Sequence, residues 1–432
     1  MELNDSSLPQ IRRILSWVLK NKYSDFYRKK YKGKVIPSKI KTVNDFKKIP
    51  FLEREDLVSA SPFDKIFTSF NFIKGVTATS GTTGKGPLVT FLPERMSMFE
   101  GKRVSASYLG TKNKIIELGI KYYLLIKPPF SINNSILENR SPFAVIADPD
   151  NFTASAEIAS RLRIEAIHTT PTILYFFTPY LKKKYDLKKI KFIQFGGELC
   201  SNEKLMLFKR TFPNSYITNR YVASEGPVIT WQCEYLAQKN LQLQHLLPGT
   251  IAECLDTLTG EEVARGDVGE LVYTILYPDV FVPIRYRTGD YVIFKEEKCK
   301  CKKPYPIFEA LGKIGYDSIA IQGTKLLISD ILDAIKKTKG LVNDFKAHVH
   351  ERIRGGRIYY IVEVQLIPKD KKNLKNLLFK EKIRDKMEKN LYISSSLTYK
   401  DLVDKDVFLP LKVEFMEKLP HEPKRRYFTA HY

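Results

Sequence analysis

Long apolar runs are the first thing this sequence lacks. No stretch approaches the roughly 20 residues of a membrane-crossing helix, so no membrane span is expected. Met1 to Tyr23 is too polar at its start for a secretory signal and has no small-residue cleavage site after an apolar core. It reads instead as an amphipathic helix opening near Asp5 or Ser6. Cysteine is scarce, at five residues, and the odd number speaks against a disulfide framework. Without a secretion signal, a reduced, cytoplasmic setting is expected. Acidic residues are in deficit, 48 against 71 basic ones, for a net charge of +23. Yet the lysines are spread along the chain, as in Lys182-Lys183-Lys184 and Lys369-Asp370-Lys371-Lys372, with no compact basic tail. Nor is there a signature of a common nucleic-acid module, so no nucleic acid is expected as a partner. Solvated lysine faces and binding of polyphosphate ligands remain as two accounts of the charge. Internal repeats and low-complexity linkers are missing too.

At 432 residues the chain exceeds one hydrophobic core and predicts two or three domains. Its 43% hydrophobic and 28% charged content is ordinary for a soluble globular protein. One stretch, Thr77 to Phe91, stands apart. At its centre Thr79-Ser80-Gly81-Thr82-Thr83-Gly84-Lys85-Gly86 sets hydroxyls, glycines and one lysine between two apolar runs. Glycine lets backbone N–H groups approach a ligand, and successive N–H groups make an anion-binding concavity. Ser80, Thr82 and Thr83 add hydroxyl donors, and Lys85 adds a charge for a phosphate oxygen. A Walker A loop is excluded, because it needs four residues between its glycines and then Gly-Lys-Ser/Thr. Here two residues separate Gly81 from Gly84, and Gly86 follows Lys85. A phosphate loop of another kind and a plain surface hairpin both fit, since Leu88-Val89-Thr90-Phe91 reads as a strand.

Residues 1 to 75 predict helices and connectors. Beyond the loop, Glu94 to Leu109 reads as a helix, and Tyr122 to Ile126 as a buried strand stopped by Pro128-Pro129. Ala144 to Ala147 is a second strand, Ala154 to Arg163 a helix, and Ala166-Ile167-His168 a strand ahead of Thr169-Thr170-Pro171-Thr172. This alternation predicts a largely parallel sheet covered on both faces. The strand Lys191 to Phe195 runs into Gly196-Gly197-Glu198. Ligands of open parallel sheets sit at the carboxyl ends of strands, so this turn lies near a site, or is simply structural. After a helix over Asn202 to Arg210, the strand from Tyr216 ends in Tyr221-Val222-Ala223-Ser224-Glu225-Gly226. There Tyr221 can stack on a base, Ser224 can meet a phosphate, and Glu225 can hold Mg²⁺, which takes hard oxygen ligands beside substrate phosphates.

From Val263 the pattern turns to β, with Gly269 to Thr274 and then Phe281 to Asp290. Asp290 on a glycine turn, near Arg285 and Arg287, has the ingredients for holding a ribose diol; a turn aspartate with a salt-bridged arginine is the alternative. The C-terminal part, from near Gly312, predicts a helix over Leu326 to Lys336 and strands at Ala347 to His350 and Arg357 to Val364. An amphipathic helix over Leu374 to Asn390 and a last strand at Val413 to Phe415 follow. His348 and His350 alternate with Val349 and read as solvent-facing, and Cys200 and Cys254 as packing residues.

Taken in order, Thr79 to Gly86, Gly196-Gly197-Glu198, Tyr221 to Glu225, Tyr286-Arg287-Thr288-Gly289-Asp290, a Gly-Lys stretch at Gly312 and a lysine near the end resemble the acyl-adenylate-forming superfamily. Within it the chain is similar to the phenylacetate–coenzyme A ligases, as Phe26-Tyr27-Arg28-Lys29-Lys30-Tyr31, Ile49-Pro50-Phe51 and Val282 to Thr288 support. The resemblance covers essentially the whole chain. It implies an α/β fold: a large N-terminal adenylate-forming domain, residues 1–311, with parallel sheets covered by helices plus a β subdomain. This domain would bind ATP and the acid. A small mobile α+β lid domain, residues 312–432, would complete the fold.

The resemblance further implies that Thr79, Ser80, Gly81, Thr82, Thr83, Gly84 and Lys85 wrap the β- and γ-phosphates of ATP. Gly197 and Glu198 count among the nucleotide-binding residues. Tyr221 would lie against adenine, Ser224 on a phosphate, Glu225 on Mg²⁺ and Asp290 on the ribose hydroxyls, with Lys313 a second ribose or phosphate contact. Lys424, in Leu419-Pro420-His421-Glu422-Pro423-Lys424, would bridge the substrate carboxylate and the α-phosphate. Attack of a carboxylate on ATP gathers negative charge, which a preorganised cation and Mg²⁺ stabilise; positioning supplies much of the remainder. The chain departs from the family pattern at Gly86, Val222, Pro423 and the stretch Gly312 to Asp317, which is longer than usual. Cys299-Lys300-Cys301, with Cys233 and His245 upstream, is also similar to this branch and implies a structural Zn²⁺ pinning the connector to the β subdomain.

The implied activity is ATP-dependent conversion of a carboxylic acid to an acyl-AMP with release of pyrophosphate, then transfer to the thiol of coenzyme A. An adenylating enzyme serving an acyl carrier protein or an amine, and a non-catalytic nucleotide-binding relative, are the alternatives; a homodimer is left open. The acid, by resemblance an aromatic or medium-sized one, would lie between the His168 to Thr172 segment and Gly196-Gly197-Glu198. Phe176, Phe177 and Phe195 offer apolar surface there, and the sequence leaves open which of them faces the site.

Overall fold

The computed structural model describes residues 3–78, 88–93, 98–99, 102–103, 112–126, 143–197, 200, 202–222, 225–226, 229–239, 242–257, 259–313, 318–321, 324–354, 357–393, 398–406, 408–419 and 427–431. Two compact units result, Met1–Ala310 and Leu311–Tyr432.

The first unit opens on the expected amphipathic helix. A 3-10 turn over Asp5–Ser7 leads into α1 (Leu8–Leu19), which buries Leu8, Ile11, Ile14, Leu15 and Val18 at helical spacing. Then come α2 (Phe26–Tyr31), α3 (Val43–Lys47) and α4 (Arg54–Ser59). The buried Tyr27 hydroxyl staples this block to the β region, donating to the Val282 carbonyl at 2.7 Å and accepting the Ile284 N–H at 3.0 Å. Strands β1 (Ile73–Ala78) and β2 (Val89–Pro93) pair antiparallel up to Ala78 opposite Val89. The helix expected from Glu94 to Leu109 is not what the described residues there form. β3 (Met98–Phe99) pairs antiparallel with β4 (Lys102–Arg103) instead. Gly101 weighs against a helix at that point by about 1 kcal/mol.

After α5 (Lys112–Glu117) the alternating pattern builds the expected parallel sheet. It contains β5 (Tyr122–Ile126), β6 (Phe143–Ala147), β7 (Ala166–Thr169), β8 (Phe192–Gly196) and β9 (Tyr216–Arg220), in the order β6-β5-β7-β8-β9 with every pairing parallel. The connecting helices α6 (Phe152–Arg161), α7 (Pro171–Lys184) and α8 (Asn202–Thr211) supply Ala156, Leu174, Phe177 and Phe208 to the core on one face, against Ile167, Ile193 and Phe195. Thr170 caps α7, accepting the Ile173 N–H, and Pro171 sits at its first turn, where a missing N–H costs nothing.

The β region starts at Thr230, earlier than the sequence pattern marks it. β10 (Thr230–Trp231), α9 (Glu234–Lys239), β11 (Leu243–Leu246), β12 (Thr250–Leu255), β13 (Val268–Ile275), β14 (Tyr286–Phe294) and β15 (Ile307–Lys313) follow. Their strands form a sheet ordered β10-β11-β15-β14-β13-β12.

The second unit has a hairpin of β16 (Ser318–Ile321) and β17 (Thr324–Leu327), then α10 (Ile328–Thr338), β18 (Leu341–Arg354), β19 (Arg357–Pro368), α11 (Leu377–Asn390), α12 (Tyr399–Asp404), β20 (Lys412–Phe415) and β21 (Phe428–His431). Its main sheet runs β20-β19-β18-β21. Ala347, Val349, Val362 and Val364 face a core shared with Ile331 and Met387 of the helices, while His348 and His350 alternate outward and are half-buried, as their spacing predicts.

Candidate functional site

The strand ends of the first unit bring the motif residues together. β9 stops at Arg220, and Tyr221 follows with its hydroxyl donating to Asp290 Oδ2 at 2.5 Å. Asp290 stands on a bulge of β14. Glu270 pairs with Tyr291 and Val272 with Arg287, so Thr288, Gly289 and Asp290 lie opposite Leu271 alone. Gly289 takes φ +67°, which suits a residue without Cβ, and such bulges re-aim side chains. The bulge is fastened on both sides. Glu270 Oε1 accepts the Gly289 N–H at 2.9 Å, and the Thr288 hydroxyl donates to the Leu271 carbonyl at 2.7 Å while accepting the Asp290 N–H at 3.0 Å. The ring of Tyr221 meets Phe308 edge-on at 5.8 Å. Burial and the neighbouring Asp290 carboxylate push the Tyr221 pKa well above the usual phenol value, so it acts here as a donor.

Glu225 is buried, and its Oε1 accepts from Arg54 Nη1 at 2.5 Å. The route that delivers Arg54 is built into the backbone. Leu52 runs beside the start of β14, its N–H donating to the Arg285 carbonyl and its carbonyl accepting the Arg287 N–H, both at 3.0 Å. Helix α4 then begins at Arg54. On the other side, a Cβ on Gly226 would lie 2.7 Å from Tyr273 Oη and from Pro283 Cγ, so glycine is required directly after Glu225. Tyr273 Oη is buried with no hydrogen-bond partner among the described residues. Burial first, and the Glu225 carboxylate next, raise its pKa well above the usual value.

Arg285 and Arg287 answer the alternative left open in the sequence. Arg285 makes a bidentate, buried pair with Glu253 at 3.0 and 2.8 Å and also donates to the carbonyls of Lys47 and Ile49. Its guanidinium lies 4.2 Å from the Phe51 ring centroid. Arg287 holds Glu270 Oε2 at 2.9 and 2.5 Å. Both arginines frame the Asp290 bulge.

Cys233, His245, Cys299 and Cys301 converge, their ligand atoms all within 4.8 Å of one another. Cys233 Sγ is 3.5 Å from Cys299 Sγ, and Cys301 Sγ is 3.4 Å from His245 Nε2. A tetrahedral zinc site with metal–sulfur bonds of about 2.3 Å has ligand–ligand edges of about 3.7 Å, so the spacing fits. The outer shell fits as well. His245 Nδ1 lies 3.1 Å from the Tyr305 carbonyl, an arrangement that fixes the tautomer with Nε2 toward the sulfurs, and its ring stacks on Trp231 at 4.8 Å. Burial lowers the His245 pKa, favouring the neutral imidazole a metal needs. Burial also pushes the Cys233 thiol up to about 12, a cost that a bound cation would reverse by holding the thiolate.

Other expected site residues are placed less fully. Gly197 follows β8 at φ +83° and is exposed. The Lys313 backbone closes β15. Thr79, Ser80, Gly81, Thr82, Thr83, Gly84, Lys85, Glu198, Ser224 and Lys424 lie outside the described residues. Phe177 and Phe195 do not offer the apolar surface expected for the acid, since both are fully buried in the core beneath α7 and α8. Phe176 is the exposed one of the three. On the opposite face of the sheet, His168, Gln194 and Thr218 stand side by side in register, and Tyr123 Oη is 3.5 Å from Gln194 Oε1. Sequence reasoning missed this polar row and missed Arg54. Strand alternation could have found the row; nothing in the sequence around Arg54 singles it out.

Residues 138–274 match the family model described as AMP-binding enzyme. Among curated relatives, a phenylacetate–coenzyme A ligase of Thermus thermophilus is 24% identical over 306 residues, 68% of this chain and 66% of that one. A phenylacetate–coenzyme A ligase of Pseudomonas putida is 23% identical over 355 residues, 78% of this chain and 77% of the relative. Among solved structures, a 2-hydroxyisobutyryl-CoA ligase in complex with 2-HIB-AMP superposes with a TM-score of 0.68 at 15% identity, covering 99% of this chain and 89% of the other.

Proposed function

We propose that the chain is an AMP-forming ligase of the adenylate-forming kind, on the branch of the phenylacetate–coenzyme A ligases it resembles, and that it joins a carboxylic acid to coenzyme A through an acyl-AMP. The observation that carries this reading is the convergence of Tyr221, Glu225 and Asp290 at the strand ends of the first unit, with Tyr221 and Asp290 joined at 2.5 Å.

In this reading Asp290, held by the bulge, accepts the two ribose hydroxyls, and the Tyr221 ring lies along the adenine. Glu225 is the carboxylate for Mg²⁺, which when bound would neutralise phosphate charge beside it. Arg54 now occupies Glu225 Oε1. The second carboxylate oxygen, or a turn of Arg54 toward the phosphates, leaves room for the ion. Thr79, Ser80, Gly81, Thr82, Thr83, Gly84 and Lys85 would surround the β- and γ-phosphates, with Gly197, Glu198, Ser224 and Lys313 completing the nucleotide contacts. Lys424, carried by a lid domain of residues 312–432, would offset the charge that gathers as the carboxylate attacks the α-phosphate. The acid would enter beside the His168 to Thr172 segment. Cys233, His245, Cys299 and Cys301 would hold a structural Zn²⁺; with four protein ligands they leave no open position for chemistry.

Pyrophosphate exchange with Mg-ATP over a panel of aryl-acetic, short hydroxylated and medium-chain acids tests the first half-reaction. Addition of coenzyme A or a pantetheinylated carrier protein then identifies the acceptor. Exchange at background for every acid, unchanged by Lys424→Ala, would refute the proposal.

A further inference from the structure

Two buried glutamines, each next to a residue of the Cys/His cluster, reach into the strand that delivers Tyr221. Gln232 precedes Cys233. Its Oε1 accepts from the Thr218 hydroxyl and from the Asn219 N–H, both at 3.0 Å, and its Nε2 donates to the Leu243 carbonyl at 2.8 Å. Gln244 precedes His245. Its Nε2 donates to the Asn219 carbonyl at 3.4 Å, and the Thr230 hydroxyl lies 3.5 Å from its Oε1. That same Thr230 hydroxyl donates to the Tyr221 carbonyl at 2.8 Å. Thr218, Asn219, Thr230, Gln232 and Gln244 are all buried.

Strand alternation explains the arrangement. Trp231 pairs with His245 across β10 and β11, so these two side chains share one face, and the stacked rings confirm it. Thr230 and Gln244, one residue away on each strand, point to the opposite face, toward β9. The cluster residues and the glutamines therefore sit on two sides of one short ladder. The circuit closes through the other half of the cluster. Cys299 and Cys301 lie on the segment that leaves β14, the strand of Asp290, and Asp290 meets Tyr221. One end of the cluster thus leads to Tyr221 and the other to Asp290.

We propose that the Cys/His centre, acting through Gln232 and Gln244, sets the position of the Tyr221–Asp290 pair and so controls nucleotide affinity. Gln232 and Gln244 are positioning residues; neither touches the reacting atoms. The inference rests on the assignment of Tyr221 and Asp290 as nucleotide contacts. Its physical basis is that a buried polar network tolerates little displacement. A shift of β10 or β11 by one hydrogen-bond length would strip partners from Thr218, Asn219 and Tyr221 together, and buried groups without partners are costly. The ladder therefore carries a change at the cluster to the loop after β9.

The test uses the full chain and reads AMP and ATP affinity by titration calorimetry, apart from turnover. Gln232→Leu and Thr218→Val remove hydrogen-bonding groups at similar volume. Each is expected to keep the metal content of the wild type and to weaken nucleotide binding by about tenfold, the effect of roughly one buried hydrogen bond. The KM for the acid should change little. Removing the metal from the wild type with a chelator is expected to weaken nucleotide binding similarly, and Gln232→Leu should add little in the stripped protein. If Gln232→Leu does not fold, Thr218→Val, which deletes one hydroxyl, carries the comparison. Nucleotide affinities within twofold of wild type in Thr218→Val, Gln232→Leu and the stripped protein overturn the coupling while leaving the site assignment intact. A wild type that binds no nucleotide overturns both, and a wild type without stoichiometric metal overturns the role of the centre.

Discussion

The Tyr221 hydroxyl and Asp290 Oδ2, 69 residues apart in sequence, are joined by a 2.5 Å hydrogen bond that links the loop after β9 to the bulge of β14. The bond holds both side chains of the proposed nucleotide surface in place, and a surface held in this way spends less on ordering side chains when it binds. Tyr221→Phe keeps the ring and deletes the donor. Its expected effect is a rise of about five- to tenfold in the KM for ATP with a smaller change in kcat, in line with one charge-assisted hydrogen bond. Asp290→Ala should cost more, on the order of a hundredfold in kcat/KM, because it removes the proposed ribose acceptor as well. Initial rates of pyrophosphate exchange over a range of ATP concentrations decide this. Wild-type kinetics for Tyr221→Phe would assign the whole contribution of Tyr221 to its ring.

Arg54 and Glu225 make the second prediction. Removing one partner of a buried ion pair leaves an uncompensated charge, which costs about 3–5 kcal/mol, while removing both is much milder. Because Arg54 retains some exposure, the lower end applies. Arg54→Met should destabilise the first unit by about 3 kcal/mol, and Arg54→Met with Glu225→Gln by clearly less than the sum of the single changes. Urea denaturation followed by tryptophan fluorescence gives the cycle. Additive destabilisation would mean that the 2.5 Å contact contributes no coupling. In the same variants Glu225→Gln should abolish exchange, whereas Arg54→Lys should preserve it.

The contrast between these two pairs shows what the sequence makes legible. The apolar runs Tyr122 to Ile126, Ala166 to His168 and Lys191 to Phe195 announce a parallel sheet because both of its faces are covered, and such strands are apolar throughout. Tyr221 and Glu225 are legible because they follow a strand, and Asp290 because it follows a glycine turn, and each carries a chemically distinctive group. Arg54 is not, since its partner lies 171 residues away and α4 is an unremarkable surface-type segment. The short pairing at Met98 to Arg103 was masked by helix-compatible residues on either side of Gly101. Which of Phe176, Phe177 and Phe195 faces the acid was open in the sequence for a different reason. An apolar residue near the end of a strand or the start of a helix fits a pocket or a core equally well; strand parity with Ile193 assigns Phe195 to the core, and the buried face of α7 assigns Phe177 to it.

The Cys/His centre predicts a response to metal removal. It joins Cys233 and His245 to the Cys299–Cys301 turn across the β region, and metal binding of this kind adds directly to folding free energy. Stoichiometric zinc is expected by metal analysis of the purified protein. Chelation should lower the melting temperature by several degrees, and zinc should restore it. Cys301→Ser, which leaves three ligands and a weaker oxygen donor, should lower the midpoint in the presence of metal and shift less on chelation. A melting curve insensitive to chelator, with no metal in the sample, would remove the centre from the account of stability.

The last prediction concerns pH and the second unit. Asp330 lies in the first turn of α10, where its Oδ2 accepts the Leu327 N–H at 2.8 Å. Burial dominates over this hydrogen bond and lifts the Asp330 pKa from 3.8 to about 6, with nearby Asp333 adding to the shift. A carboxyl whose pKa is higher folded than unfolded binds its proton more tightly in the folded state. Its ionisation therefore opposes folding above pH 6, and that cost is relieved as pH falls from about 6 toward 4. This runs against the usual acid destabilisation by paired carboxylates. Asp330→Asn keeps an acceptor for Leu327 and removes the ionisation. It should stabilise the protein by about 1–2 kcal/mol at pH 7.5, a discount on the full linkage value because the group is not wholly buried. At pH 4.5 the gain should largely vanish. Denaturant titrations of wild type and Asp330→Asn at both pH values check the sign, and an equal effect at both would show that capping geometry outweighs titration at this position.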